Sequence, residues 1–238
     1  MTVQTIITAA GDSRKTFVDG GFGSPKSLVM VDGKTVLEHA IEAYTLDFSA
    51  LRVAVNEDEA NEWGVDRHVL ELFPYSKVVK VNSRAQGALV SALIASSDLD
   101  MNEPLVIAAG DSRVSGPISL YAESFRTSAF PASTLVFSSS GNRWSYVALD
   151  SDGRVVEVSE KYEVSSLATT GFFFFQTAQS FIDSARWVLL NNARVNGRYY
   201  VSTTLNFLIS RGAGVGYQLL PEGQYKSWSL PVDFVSGG

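Results

Sequence analysis

The sequence predicts an α/β protein built on a mixed, mostly parallel sheet with helices on both faces. In the first half, short β-branched apolar runs alternate with stretches in which apolar residues recur at helical spacing. Such alternation indicates parallel strands joined by helices. In the middle, three strand patterns follow one another, and Asp150–Gly153 is typical of a hairpin turn between the last two. We expect these middle strands to form a small β-rich insertion that closes over the sheet.

The elements follow from periodicity and turn residues, with Thr35 as the expected cap of the first long helix, which begins at Val36. The predicted strands are Val3–Ile7, Leu51–Val55, Lys77–Val81, Leu105–Ala108, Ser133–Ser138, Trp144–Leu149, Arg154–Ser159, the core run Phe172–Phe175, and Val215–Leu220. The later predicted helices are Glu57–Phe73, Gly87–Ala95, Phe181–Leu190 and Thr204–Ser210.

The loop after the first strand is rich in small and basic residues. It reads Ala9-Ala10-Gly11-Asp12-Ser13-Arg14, followed by Lys15 and, further on, by Lys26. Small residues let backbone N–H groups approach a phosphate chain, and the three cations supply positive charge. This predicts a nucleoside triphosphate cradle. An ordinary glycine turn is the competing interpretation, because neither a P-loop nor a dinucleotide fingerprint is present.

Two later strand ends also carry candidate residues. Asp111 follows the buried run Leu105–Ala108, where ligands of parallel sheets bind, and a carboxylate there can hold Mg²⁺. A turn or cap role is the commoner fate of an aspartate. The segment with Arg84, Gln86 and Gly87 opens a helix and offers free N–H donors, although the residues alone favour an ordinary capped helix start.

Composition limits the classes of function. The formal net charge of −6 argues against a broad nucleic-acid surface. The absence of cysteine excludes disulfides, thiolate metal sites and cysteine nucleophiles. The N-terminus lacks the basic lead of a signal peptide, and no apolar run reaches membrane-spanning length. We therefore expect a cytoplasmic protein with no nucleic-acid or membrane partner; a homo-oligomer stays open.

The opening resembles that of the sugar-phosphate nucleotidyltransferases, whose first strand ends in A-G-x-G-S/T-R and is followed by P-K-P-L. The branch found in surface-polysaccharide pathways has R-F-x-x-x-G-Y/F-x-x-P-K-P-L-I. The residues that fit this pattern are Phe17, Gly21, Phe22, Pro25, Lys26 and Leu28. The chain departs from the pattern at three points. Lys15 and Thr16 split the arginine-phenylalanine pair, the second glycine of the loop is either missing or replaced by Asp12, depending on the alignment, and Ser27 replaces the second proline.

Later segments resemble the same family in order. Residues 144–161 are similar to Y-x-x-V-x-x-D-x-x-G-x-V-x-x-I/V-x-E-K, and Thr170-Gly171 is similar to the small-residue turn before an aromatic strand. Residues 196–201 resemble N-G-E-Y/F-Y-L/V, with Arg198 in place of the acid. Residues 228–234 resemble the end of W-x-D-x-G-T-P-x-D-L/F, and Ser227 takes the place of the second metal aspartate.

The resemblance implies a Rossmann-like fold of the GT-A type and a Mg²⁺-dependent reaction that joins a nucleoside triphosphate to a phosphorylated small-molecule acceptor. It implies one domain over 1–238, with a nucleotide-binding half, 1–115, and an acceptor-binding half, 116–238. Arg14, Lys26 and Asp111 would be catalytic, and Asp111 would hold the metal. The nucleotide would contact Ala9, Ala10, Gly11, Asp12, Ser13, Lys15, Arg84, Gln86 and Gly87. The acceptor would contact Trp144, Tyr146, Glu160, Lys161, Thr170 and Gly171.

Two other functions stay open at this point. A nucleotide-sugar-dependent glycosyltransferase of similar architecture would need an Asp-x-Asp motif, and Asp111-Ser112-Arg113 lacks the second acid. A non-catalytic nucleotide-binding protein would account for Asp12, Ser27 and Ser227. A surface ion pair is the simplest alternative for Glu160 and Lys161.

Overall fold

Within residues 2–234, which the computed structural model describes, nine strands form one mixed sheet and four short strands form two small ribbons. The strands are β1 Gln4–Ala9, β2 Met30–Val31, β3 Lys34–Thr35, β4 Leu51–Asn56, β5 Lys77–Val81, β6 Leu105–Ala109, β7 Ser112–Val114, β8 Ala132–Ser138, β9 Ser145–Leu149, β10 Val155–Glu160, β11 Leu167–Phe175, β12 Gly216–Leu219 and β13 Tyr225–Ser227.

Helices connect the strands of the first half and cover the sheet. They are α1 Arg14–Phe17, α2 Val36–Tyr44, α3 Glu57–Trp63, α4 Val65–Leu72, α5 Ala88–Ala95, α6 Ile118–Thr127, α7 Ala178–Leu190 and α8 Leu205–Ser210. Short 3₁₀ turns lie at Lys26–Leu28, Phe48–Ala50, Ser202–Thr204 and Pro231–Phe234, and a π turn lies at Val18–Phe22.

The main sheet runs in the order β10-β9-β11-β6-β1-β4-β5, with β8 on β11 and β12 on β8. Strands β6, β1, β4 and β5 are parallel to one another, whereas β11 is antiparallel to β6. The carboxyl ends of the four parallel strands therefore meet at one edge. The expected fold class, a mixed sheet flanked by helices, is confirmed.

Alternation along the buried strands separates two cores. Ile6 and Phe173 pack with α5, α7 and α8 on one face. Ile7 and Phe172 pack with α2, α4 and α6 on the other. Because successive side chains of a strand point to opposite faces, a continuous apolar run is what a sheet covered on both sides requires.

Two expectations need correction. The helix predicted over Glu57–Phe73 is two helices, because Gly64 adopts a left-handed conformation (φ 71°) that ends α3. The predicted insertion is smaller than expected, because β8, the first of its three strands, pairs along β11 in the central sheet. The β9–β10 hairpin lies beyond the carboxyl end of β6 and pairs with β11 through Tyr146. On β11, the residue that pairs with Tyr146 is Ala168. It lies four residues from Phe172, which pairs with Ala108 near the end of β6.

The chain returns to this edge near its end. Strand β13 pairs with β7, so that Ser227 lies opposite Ser112, and the Trp228 amide donates to the Asp111 carbonyl at 2.7 Å. The sequence patterns did not predict these two strands or α6. The predicted cap at Thr35 is confirmed: its hydroxyl accepts from the Glu38 amide at 3.1 Å.

Candidate active site

A cavity of about 240 Å³ opens at the carboxyl edge of β1 and β6, under the β9–β10 hairpin. Its floor includes Thr8, Ala109 and Gly171, and the hairpin supplies one wall. Gly171 has φ 80°, and a Cβ there would meet the Ala109 Cβ at 3.0 Å. The glycine lies where the register of β11 on β8 shifts, so a side chain cannot be added at this point of the floor without strain.

Lys26 and Asp111 meet beside this cavity. The Lys26 Nζ donates to Asp111 Oδ2 at 2.6 Å, and Asp111 itself lines the cavity. The two side chains are 22% and 25% exposed, so both can reach a ligand. They come from the loop after β1 and from the turn after β6, two points 85 residues apart. The structure thus brings together two of the three predicted catalytic residues.

The third, Arg14, is not among the lining residues. Its guanidinium is held by Asp12 at 2.9 Å and Asp58 at 2.9 Å, and Glu62 lies at 3.6 Å. The hydrogen bonds from Arg14 lower the pKa of the Asp12 carboxyl, and those carboxylates in turn raise the pKa of Arg14. The unusual acid of the loop is therefore neutralised by its neighbour. Arg14 would have to exchange carboxylate partners for phosphate before it could bind a nucleotide.

Five of the six residues assigned to the acceptor line the cavity: Trp144, Glu160, Lys161, Thr170 and Gly171. The sixth, Tyr146, is fully buried and donates to the Gly141 carbonyl at 2.7 Å, which is a packing role. Strand alternation explains this difference, since neighbouring residues on β9 face opposite sides.

Glu160 and Lys161 are held by hydrogen bonds and partly or fully buried, not free on the surface. The Glu160 carboxylate is 3% exposed and accepts from the hydroxyls of Ser145 and Ser202, the latter at 2.7 Å. Lys161 has a positive φ of 63°, and its Nζ donates to the Arg143 carbonyl and lies 3.6 Å from Glu160. A buried, hydrogen-bonded carboxylate beside a lysine is not the solvated ion pair of the simplest interpretation.

The residues assigned to the nucleotide lie outside the cavity lining. Ala9 ends β1, the next four residues (10–13) form the turn that follows, and Lys15 lies in α1. Gly11 has open space around the position of a Cβ, so its backbone is accessible. Ser13 is buried and bonded to Glu59 on α3. The turn is therefore exposed at Gly11 and held at Ser13 by its hydrogen bonds to Glu59.

Gly87 has a structural reason to be glycine. Its φ is 108°, and a Cβ would meet the Tyr199 carbonyl oxygen at 2.3 Å. The Tyr199 amide donates to the Gln86 carbonyl at 2.7 Å, and the Leu89 amide at the start of α5 donates to the Tyr199 carbonyl. Arg84 and Gln86 are exposed. The glycine is thus explained by close approach of the protein's own backbone.

Sequence reasoning missed several lining residues, namely Arg143, Ser145, Tyr200, Ser202, Tyr225 and Ser229. Arg143 pairs with Asp233 at 2.7 Å and covers the Trp144 ring at 4.4 Å. Burial, together with the nearby Asp111 carboxylate, raises the pKa of Tyr225, which keeps its hydroxyl neutral. Tyr200 and Asp233 stand in segments that resemble family motifs, but nothing in the sequence showed that Tyr200 lines this cavity or that Asp233 binds Arg143.

The donor set around Asp111 suits a divalent cation that is held mainly by its substrate. Among residues 2–234, no group of three or more His, Cys, Asp or Glu side chains is arranged to bind a metal. Asp111 offers one carboxylate, and the Ser227 hydroxyl lines the same cavity. Mg²⁺ in phosphate-handling sites commonly takes one or two carboxylates and completes its shell with phosphate oxygens and water.

Residues 5–163, from β1 to the turn after β10, match the MobA-like NTP transferase domain. The chain belongs to the MobA-like NTP transferase family. The match spans the loop with Lys26, the turn with Asp111 and the hairpin with Lys161. The relationship to the nucleotidyltransferases predicted from the sequence is thereby confirmed. No curated protein matches the chain significantly.

Solved structures share the architecture of this MobA-like transferase. A nucleoside-diphosphate-sugar pyrophosphorylase from Vibrio cholerae superposes with a TM-score of 0.79 at 19% identity and covers 98% of both chains. A putative glucose-1-phosphate thymidylyltransferase from Bacillus anthracis (TM-score 0.72, 18% identity) and an inositol-1-phosphate CTP transferase from T. maritima (TM-score 0.72, 16% identity) each cover 98% of this chain and 92% of their own. These likenesses establish the fold. No helix within residues 2–234 is long and apolar enough to cross a bilayer.

Two glycine substitutions separate a structural glycine from an accessible one. Gly87→Ala should lower the free energy of unfolding by about 1–3 kcal/mol, because the residue is strained and crowded by Tyr199. Gly11→Ala should change it by less than about 0.5 kcal/mol, because nothing lies near the added carbon. Chemical denaturation measures both. Equal destabilisation by the two variants would contradict this description of the loop.

Proposed function

We propose that the protein transfers a nucleotidyl group from a nucleoside triphosphate to a phosphorylated small-molecule acceptor, such as a sugar 1-phosphate, and releases pyrophosphate. An oxygen of the acceptor phosphate attacks the α-phosphorus, a new P–O bond forms, and the bond to the bridging oxygen of the pyrophosphate breaks. The observation that carries the proposal is the 2.6 Å contact between Lys26 and Asp111 beside a cavity with a second lysine on its wall.

The charges of the site suit this reaction. Two polyanions must be brought together and the charge that develops on the phosphoryl oxygens must be stabilised, which are tasks for positioned cations. Lys26 stands at the junction between the loop after β1 and the cavity, so its ammonium can serve the α-phosphate. Lys161, on the hairpin wall, can hold the acceptor phosphate, and Arg14 can take the leaving pyrophosphate once it is released from its carboxylate partners.

The cavity wall can also recognise the acceptor's organic part. Glu160 is fixed by two serine hydroxyls and lies beside Lys161, so its carboxylate can accept a hydrogen bond from an acceptor hydroxyl. The proteins of similar fold include enzymes named for glucose 1-phosphate and inositol 1-phosphate, both polyhydroxylated ring phosphates. The resemblance of the opening loop to the surface-polysaccharide branch supports a product of that pathway class.

Mg²⁺ fits this site with Asp111 as its protein carboxylate and Ser227 beside it. When bound, the ion would supply positive charge to the triphosphate. Repulsion between the ion and the Lys26 ammonium on the same carboxylate would then favour movement of Lys26 toward the phosphate.

The geometry disfavours a glycosyltransferase. An Asp-x-Asp site would need an acid at position 113, where Arg113 lies over the Trp228 ring at 5.6 Å. The intervening Ser112 is buried and hydrogen-bonded to the Tyr44 hydroxyl at 3.0 Å.

The proposal is tested by incubating the protein with each nucleoside triphosphate, Mg²⁺ and inorganic pyrophosphatase over a panel of phosphorylated acceptors. Phosphate release that requires both substrates supports it. Release of a nucleoside diphosphate from a nucleotide sugar would instead identify a glycosyltransferase. Nucleotide binding without turnover on any acceptor of the panel would show a non-catalytic homologue and overturn the proposal.

Lys26→Ala should reduce kcat by about 100-fold to 1,000-fold, which is the usual effect of removing one preorganised electrostatic donor from a transition state. Lys77→Ala is the matched control, since Lys77 forms a surface ion pair with Asp98 at the far end of β5. Steady-state phosphate release measures both variants. Turnover by Lys26→Ala at the rate of the control would contradict the role of Lys26.

Ser227→Asp should tighten divalent-cation binding in the absence of nucleotide, because it adds a second carboxylate to the wall that already holds Asp111. Isothermal titration calorimetry with Mn²⁺ measures this affinity, and Ser227→Asn controls for the change of side-chain size. Equal Mn²⁺ affinity in the wild type and Ser227→Asp would show that residue 227 does not face the metal position.

A further inference from the structure

Glu59 on α3 is a buried carboxylate whose hydrogen-bond partners both belong to Ser13. The residue is 1% exposed. Its Oε1 accepts from the Ser13 amide at 2.7 Å and from the Ser13 hydroxyl at 2.7 Å. Its neighbours in the first turn of α3, Glu57 and Asp58, are partly exposed instead. A favourable interaction with the helix N-terminus would not require Glu59 to be buried, because exposed acids supply it.

The Ser13 hydroxyl continues the chain of hydrogen bonds to Lys26. The Ser13 hydroxyl donates a hydrogen bond to Glu59, and its oxygen accepts a hydrogen bond from the Lys26 amide at 2.9 Å. The ammonium of the same lysine then contacts Asp111 at 2.6 Å. One continuous path therefore leads from α3, through the loop after β1, to the turn after β6.

Burying the ionised carboxylate of Glu59 costs free energy, which suggests that the group has a task in this position. A buried ionised group must recover its lost hydration through its partners, and a neutral side chain of similar size fills such a space at lower cost. Burial raises the pKa of Glu59, and the two hydrogen bonds from Ser13 act in the opposite direction. Both hydrogen bonds that offset the cost of burial come from Ser13 in the loop. The interaction therefore orders the loop and not the helix.

The loop needs such an anchor. Residues 14–25 separate Ser13 from Lys26 and include Gly20, Gly21 and Gly23, which have open space around their Cβ positions. Gly21 and Gly23 have positive φ values of 94° and 72°. Glycines enlarge the set of conformations open to a loop, so its local sequence does not fix where Lys26 lies. The hydrogen bond from the Lys26 amide to Ser13 is one of the contacts that do.

We propose that Glu59 is a positioning residue for the reaction proposed above: acting through Ser13, it fixes the backbone at Lys26 and thereby the placement of the Lys26 ammonium beside Asp111. Glu59 touches neither substrate. Its effect is on the geometry of a group that does, and a displacement of about 1 Å in such a group can cost a factor of about 100 in rate.

A double-mutant cycle tests this. Glu59→Ala should lower kcat by about 10-fold to 100-fold with little change in either KM, since the loss is one of alignment. In the Lys26→Ala background the same change should cost almost nothing, because the group it positions is gone. Glu59→Gln, whose amide oxygen accepts both hydrogen bonds, should retain most of the activity. Independent losses that multiply in the double variant would overturn the proposal.

Ser13→Ala gives a second route that leaves Glu59 in place. It removes the hydroxyl to which the Lys26 amide donates, and Ser13→Thr restores it. We expect a fall in kcat for the first and recovery for the second. Asn61→Ala, an exposed change on the same helix, is the control for general damage to α3. A Ser13→Ala variant as active as the wild type would contradict the path.

A measurement without turnover separates this inference from the proposed function. Amide hydrogen exchange at Ser13 and Lys26 should quicken in Glu59→Ala and stay slow in Glu59→Gln. If the wild type releases no pyrophosphate with any substrate pair, the proposed function fails while this exchange result still tests the anchor. Unchanged exchange in Glu59→Ala would overturn the anchor even if the enzyme is active.

Discussion

The contact between Lys26 and Asp111 is the interaction on which the candidate site depends. It joins the loop after β1 to the turn after β6, at the edge where the parallel strands end. The sheet alone would bring only the strand ends together. The ion pair closes the remaining gap and places a cation and an anion, both partly exposed, where the proposed reaction would need opposite charges for a triphosphate and its metal.

Residues near Trp228 and Phe234 stabilise the two segments that carry Lys26 and Asp111. The Trp228 amide binds the Asp111 carbonyl, and the β7–β13 ribbon holds the following residues. Phe17, Phe22 and Phe234 pack together with ring centroids 5.1–5.7 Å apart, so the glycine-rich loop rests on the end of the chain. Asp233 also binds Arg143 at the cavity. The segment from Trp228 to Phe234 thus contacts the loop, the Asp111 turn and Arg143, which lies just before the β9–β10 hairpin.

The sequence predicted the fold well because strand and helix periodicity are local signals. The run Phe172–Phe175, for example, is apolar throughout because its side chains alternate between the two cores. Motif spacing also singled out Lys26 and Asp111, which meet beside the cavity, and five of the residues that line it. It could not predict that Arg14 lies among three carboxylates or that Glu59 reaches Ser13, because both depend on how α3 packs against a loop 46 residues away. Tyr146, which the motif assigned to the acceptor, is buried and does not line the cavity, because a motif position does not reveal which face of β9 a residue occupies.

The central claim is that one triphosphate lies between the loop and the Asp111 turn. A crystal structure with a non-hydrolysable nucleoside triphosphate and Mn²⁺ tests it most directly. We expect the Lys26 ammonium to leave Asp111 for an α-phosphate oxygen, with the anomalous Mn²⁺ signal beside the Asp111 carboxylate. A nucleotide bound elsewhere, with the Lys26–Asp111 ion pair intact, would contradict the account.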